Sequence, residues 1–227
     1  MNWTLARTSV LPLIEGALTG TIPLTLISFA LGLVVAVVVA LAKLSGRRAV
    51  RTVGALYVSL IRGTPLLVQL FVIFYGLPSL GLTLKPYPSA VIAFALNVGG
   101  YAAEAIRGAI VAVPRGQWEA AAMIGLGRWA TLRRVIGPAA ARLAVAPLSN
   151  TFIGLVKDTS LASTVMVTEL LRRAQVIATP TYDYFTLYVV AALVYWPICS
   201  ALSLAQTRLE RRLNRHVPAA ALVGGAR

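Results

Sequence analysis

Five stretches of this chain are each long and apolar enough to form a helix across a lipid bilayer, and that constrains the fold more than any other feature. A hydrocarbon core of about 30 Å takes about 20 helical residues, and irregular backbone is tolerated at that depth only where protein or water covers it. The stretches are residues 21–42, 54–77, 87–111, 143–167 and 184–206. Composition agrees: 58% hydrophobic against 12% charged, with mean hydropathy +0.80, lies far from the roughly 45–50% and 25% of an ordinary globular chain. The expected fold is an all-α membrane protein of five transmembrane helices, a single domain over residues 1–227. About 20 residues precede the first run, and the run exceeds the 7–15 of a signal-peptide core, so Ala40-Leu41-Ala42 is read as helix and not as a cleavage site.

The 21 Lys and Arg against 7 Asp and Glu give a net charge of +14. In a soluble protein that excess suggests nucleic acid, but here it is sorted by side. The connections after the first and third runs and the tail carry fifteen of the basic residues, and the opposite side carries four, Arg7, Lys85, Arg172 and Arg173. The positive-inside bias therefore places the N-terminus outside and the C-terminus in the cytoplasm, with no nucleic-acid partner called for. The basic segment from Arg208 to Arg215 reads as a helix end near anionic lipid.

Chemistry is largely excluded. Cys199 cannot form an intrachain disulfide and His216 alone cannot make a metal site, so neither a metal nor a cofactor is expected. No Gly-x-x-x-x-Gly-Lys-Ser/Thr loop, His-Glu-x-x-His or Gly-x-Ser-x-Gly occurs, which leaves no candidate catalytic residue and disfavours an intramembrane hydrolase. No internal repeat is evident, so an inverted-repeat carrier gains no support.

The cytoplasmic connection between the third and fourth runs is the longest. Pro114 and Gly116 break the third span, and residues 117–124 are expected to form a short helix with Glu119 in its first turn, against the positive end of the dipole. Gly125 and Gly127 interrupt it, and residues 129–136 are expected to form a second short helix that ends at Gly137-Pro138.

Within this segment Glu119-Ala120-Ala121, Gly125, Val135, Gly137 and Pro138 resemble the cytoplasmic signature of the membrane subunits of ATP-binding-cassette importers, with Gly137 where the pattern has Leu. Arg62-Gly63-Thr64-Pro65-Leu66-Leu67-Val68-Gln69, Tyr101-Ala102-Ala103-Glu104-Ala105-Ile106-Arg107-Gly108 and Lys157-Asp158-Thr159-Ser160-Leu161 are similar to segments of the polar amino acid branch. The resemblance covers residues 55–165 in order. It implies a dimer of permease subunits, two ATPase subunits, an extracytoplasmic binding protein that delivers an amino acid, and a coupling helix within residues 114–138. It further implies that Glu119, Ala120, Ala121 and Gly125 dock the ATPase.

Charged residues within a span are costly and need partners or a path. Arg62 lies roughly 12 Å from the inner end of its run, and Gly63 and Pro65 immediately after it can interrupt the helix. Arg62 is read either as one half of an ion pair with Glu104 or as a substrate contact, and Glu104 has Arg107 as a local i,i+3 alternative. Lys157 and Asp158 lie roughly 21 Å along the fourth run, pointing about 100° apart. Together they complement an amino acid's carboxylate and ammonium, or else they lock a dimer interface. By resemblance, a substrate-binding role falls on Asn97 and Asp158. Tyr87, Tyr182, Tyr184 and Phe185 suit an aromatic belt, and Trp3 with residues 11–18 suits an interfacial helix. A permease that does no covalent chemistry is the leading expectation, and a stand-alone channel or carrier of small polar solutes the alternative.

Overall fold

The computed structural model describes residues 2–213, so Arg215, His216 and Arg227 lie outside the described residues. All regular structure among the described residues is helical: α1 (Trp3–Lys43), α2 (Arg48–Gly63), α3 (Leu66–Leu80), α4 (Pro86–Val111), α5 (Arg115–Met123), α6 (Arg128–Val165), α7 (Leu170–Thr181) and α8 (Tyr184–Leu213). Of these, α1, α4, α6 and α8 are long and apolar enough to cross a membrane, and α2 with α3 make a fifth candidate only as a pair bent by 105°.

Two of the prolines that lie inside helices, Pro23 and Pro138, each follow a π-helical turn. Pro138 lacks the N–H that an α-helical ladder needs, and the sequence pattern therefore puts a helix end at Gly137-Pro138. Instead the ladder widens to π-helical turns over Leu132–Ile136 and α6 runs on without interruption. The π turn shifts the hydrogen-bond register just before the missing donor. Gly137 permits it, because a Cβ there would sit 2.7 Å from the Leu132 carbonyl oxygen. The same device recurs at Ala17–Thr21, immediately ahead of Pro23. There it joins the N-terminal residues to the first span, so the segment read as a separate interfacial helix is the first part of α1. Leu13 and Ala17 pack against Leu170, Ala174 and Ala178 of α7 and Leu187 and Val190 of α8. Burial against other helices gives this segment a partner more extensive than a lipid interface.

The central helix is α4, the most buried of the long four, packed against α1, α2, α3 and α6. Its contact with α1 is the most extensive in the molecule. The approach is close because a Cβ on Gly99 would come within 2.7 Å of both Val35 and the Tyr57 hydroxyl. Small residues at such a seam bring backbones together and let dispersion forces replace the hydrophobic drive that lipid does not supply. Phe94, Ala102 and Ala103 are fully buried along the same helix.

The connection between α6 and α8, to which the sequence pattern assigned no element, holds a helix. Glu169 is the N-cap of α7, its carboxylate accepting from the Leu171 and Arg172 amides at 2.9 and 2.6 Å. A carboxylate there satisfies two of the orphan donors of a helix start.

Candidate functional site

The break between α2 and α3 creates the site. Gly63-Thr64-Pro65 takes the chain out of helical geometry, with Thr64 and Pro65 extended. Pro65 has no N–H to give the Ile61 carbonyl, which is orphaned inside the protein. One turn further on, Gln69 repairs the damage: its Nε2 donates to the Ile61 carbonyl at 2.8 Å, to Thr64 Oγ1 at 2.9 Å and to the Thr64 carbonyl at 3.1 Å. Its Oε1 then accepts from Asn97 Nδ2 at 3.1 Å.

Asn97, near the middle of α4, borders a cavity of about 300 Å³ between the break, α4 and α6. Thr64, Pro65, Tyr101, Thr151 and Asp158 line it as well. Most of this polar lining accepts hydrogen bonds. The Thr64 and Thr151 hydroxyls give their protons to the Leu60 and Pro147 carbonyls. No described residue donates to Asn97 Oδ1 or pairs with the Asp158 carboxylate. Tyr101, one of the lining residues, has the Arg62 guanidinium 5.4 Å from the centre of its ring. At that distance the ring face attracts the cation.

Two sequence-based pairings are corrected. Arg62 does not reach Glu104. The Glu104 carboxylate is held by Lys43, at the end of α1, and by Arg107 at 3.0 Å one turn on, so its partners come from its own helix and a neighbour. Arg62 belongs to the last turn of α2, where a cation meets the negative end of the helix dipole. Lys157 does not join Asp158 either. It faces a second cavity of about 390 Å³ between α6 and α8, with Ser160, Tyr195, Trp196 and Cys199. The 100° helical step between neighbours separates them, and only Asp158 reaches the cavity beside Asn97. The site residues that sequence reasoning left without a role are Gln69, Tyr101 and Thr151. The available signal was a lone glutamine four residues after a proline in an otherwise apolar run.

The segment between α4 and α6 holds Glu119, Ala120, Ala121 and Gly125 on one short element. Because α5 begins at Arg115, Glu119 lies in its second turn and is too far in to act on the helix dipole as expected. Glu119 and Ala120 are exposed, whereas Ala121 is buried. The helix stops at Gly125, with φ +75°, where the Leu126 amide reaches back to the Ala121 carbonyl at 3.1 Å and the Gly125 amide to Ala122 at 3.0 Å. That is a Schellman closure, for which a left-handed residue is required and glycine is the cheapest. Met123, Ile124 and Trp129 around the turn are strongly exposed apolar side chains.

The chain is 54% identical over 95% of its length to the L-cystine transport system permease protein TcyB of Bacillus subtilis (strain 168), covering 92% of that protein. It is 35% identical to the glutamine transport system permease protein GlnP of Escherichia coli (strain K12), over 94% of this chain and 98% of the relative. A crystal structure of an amino acid ABC transporter with histidines superposes with a TM-score of 0.88 at 33% identity, covering 93% of this chain and 99% of that one. The family model described as binding-protein-dependent transport system inner membrane component matches residues 28–215. This chain, a multi-pass membrane protein, belongs to that family of binding-protein-dependent transport permeases.

Proposed function

We propose that this chain is the permease subunit of an ATP-binding-cassette importer for polar amino acids, with L-cystine the first to test. The observation that carries the reading is the cavity at the broken span. Acceptors from Asn97 and Asp158 line its interior to complement a zwitterion's ammonium, and the Arg62 guanidinium, 5.4 Å from the ring centre of Tyr101 in the same lining, offers a complement to its carboxylate. Lys157, directed into the other cavity, is left to the face between α6 and α8. Glu104, with Lys43 and Arg107, ties α1 to α4 near the inner end.

In this reading the chain spans the inner membrane five times, α2 and α3 counting as one broken span. The N-terminus is outside and the 114–138 segment in the cytoplasm, as the fifteen-to-four sorting of Lys and Arg supports. α5 is the coupling helix. Exposed Glu119 and Ala120, the turn at Gly125 and the apolar rim of Met123 and Ile124 offer a compact knob to a cleft of the ATPase, where the hydrolytic chemistry resides. A second permease subunit and an extracytoplasmic binding protein complete the assembly. Alternating access then follows from one bistable element: closure of the ATPases moves α5, and α6, which starts across the Gly125 turn and runs past Pro138, carries the motion to Asp158.

The test is labelled L-cystine and L-glutamine uptake into proteoliposomes that hold the full complex. Uptake should vanish when the ATPase's Walker lysine is replaced, and also in Gly125→Trp and Glu119→Lys, with assembly of the membrane subunits retained. Uptake that persists without ATP hydrolysis would make the chain a stand-alone carrier. Normal uptake in both loop variants would remove α5 from the coupling path.

A further inference from the structure

Asparagine can offer either a donor or an acceptor to a ligand, and which it offers depends on what holds the amide from behind. Here the holding is traceable atom by atom to the proline break. The two backbone oxygens at the break, of Ile61 and Thr64, need donors, and Thr64 Oγ1 has already given its proton to Leu60. Only the Nε2 side of the Gln69 amide fits against three acceptors; Oε1 in that place would face them with no proton between. Oε1 is therefore turned toward α4, and Asn97, 28 residues away in sequence, must meet it with an N–H. The reversed Asn97 amide would set oxygen against oxygen. Hence Asn97 Oδ1 is left without a described partner, at the border of the cavity that also holds Asp158.

We propose that Gln69 is a positioning residue that fixes the Asn97 amide with its oxygen available to the cavity, making that end of the cavity the receptor for the substrate's ammonium group. The inference rests on the amino acid importer reading. It adds that Pro65, which breaks the span, also determines through Gln69 the hydrogen-bonding polarity of the site. Gln69 itself need not touch substrate.

The experiment is a double-mutant cycle on the assembled importer in proteoliposomes with saturating binding protein, reading the maximal rate of labelled L-cystine uptake and the melting midpoint. Gln69→Met and Asn97→Ala should each slow uptake by about tenfold, the scale of one or two lost hydrogen bonds in a site of this kind. The double variant should be no slower than either single one, since residues acting as one unit are not additive. Multiplying effects would make Gln69 a structural brace and overturn the proposal. Should Gln69→Met fail to assemble, Gln69→Lys keeps donors for the Ile61 and Thr64 oxygens and removes only the acceptor that faces Asn97. In that background Asn97→Ala should add little to the slowing, and a further tenfold loss would equally overturn the proposal. Absence of uptake by the unmodified importer would instead count against the importer reading.

Discussion

Two clusters of polar side chains lie among these apolar helices, and they differ in how completely they are satisfied. Glu169 is fully buried where α1, α7 and α8 meet. It accepts from the Leu171 and Arg172 amides, from the Tyr195 hydroxyl at 2.9 Å and from Thr21 at 3.4 Å. Thr21 in turn accepts from the Leu170 amide at 3.3 Å, so one carboxylate ties three helices. The cluster at the break is satisfied only on the side facing the protein: Gln69 is saturated, while Asp158 and the Asn97 oxygen are left open to a cavity. A closed network in a dry interior rigidifies, and an open one has capacity for a ligand. The first cluster reads as a staple and the second as a receptor.

The sharpest way to break that comparison is Glu169→Leu. It strands the Tyr195 hydroxyl and two amides at a cost of about 1–3 kcal/mol for each buried unpaired group. The expected outcome is a permease that fails to accumulate in membranes, or one whose melting midpoint falls further than that of any cavity variant. Normal accumulation and melting would mean that the network is not a staple. Asp158→Asn should do the reverse, slowing amino acid uptake by about tenfold with the melting midpoint unmoved, because no protein partner is lost and only a charge offered to the ligand is removed. A melting shift with intact uptake would move Asp158 into the structural class.

A smaller effect separates the charge of Glu169 from its shape. Burial raises the pKa of this carboxyl, outweighing the opposite pull of the Leu171 and Arg172 amides and the Tyr195 and Thr21 hydroxyls. A carboxyl raised in the folded state contributes stability that is complete below the ordinary carboxylate value and is lost as pH rises through the folded one. As pH rises from the ordinary carboxylate range through the raised folded value, the wild-type melting midpoint should therefore decline more steeply than that of Glu169→Gln, which cannot ionise. Parallel curves would show that the folded and unfolded states hold the proton alike. The smallest effect belongs to Lys157→Met. Since Lys157 faces Tyr195 and Trp196 and not Asn97, uptake should stay within about twofold of wild type, an exposed substitution being small in effect. A collapse of uptake would mean that the two cavities act as one.

The helical runs were legible because hydrophobicity over about 20 residues and the need to close every backbone hydrogen bond are local demands. So was the break at Gly63-Thr64-Pro65, which follows from a missing N–H. Three features were not legible. α6 runs through Pro138 because a π turn precedes it, a register shift with weak sequence signal beyond Gly137 itself. α7 lies in a connection to which no element was assigned, although Glu169 ahead of Leu170-Leu171 was a usable cap signal. Arg62 and Glu104 looked like partners because both are charged and buried in apolar runs, yet each has nearer company in Tyr101, Lys43 and Arg107.

The amino-acid sequence by itself determined that this chain lives in a membrane, where its helices lie and where one of them must break, since those outcomes depend on apolar length and on which residues carry backbone donors. The tertiary structure alone decided which polar atoms meet. Rotation about each helix axis sent Lys157 and Asp158 into different cavities, brought Gln69 to Asn97 and closed Thr21 onto Glu169 across 148 residues. No local pattern encodes that rotation, because it is the compromise struck by all the helices packed around α4 at once.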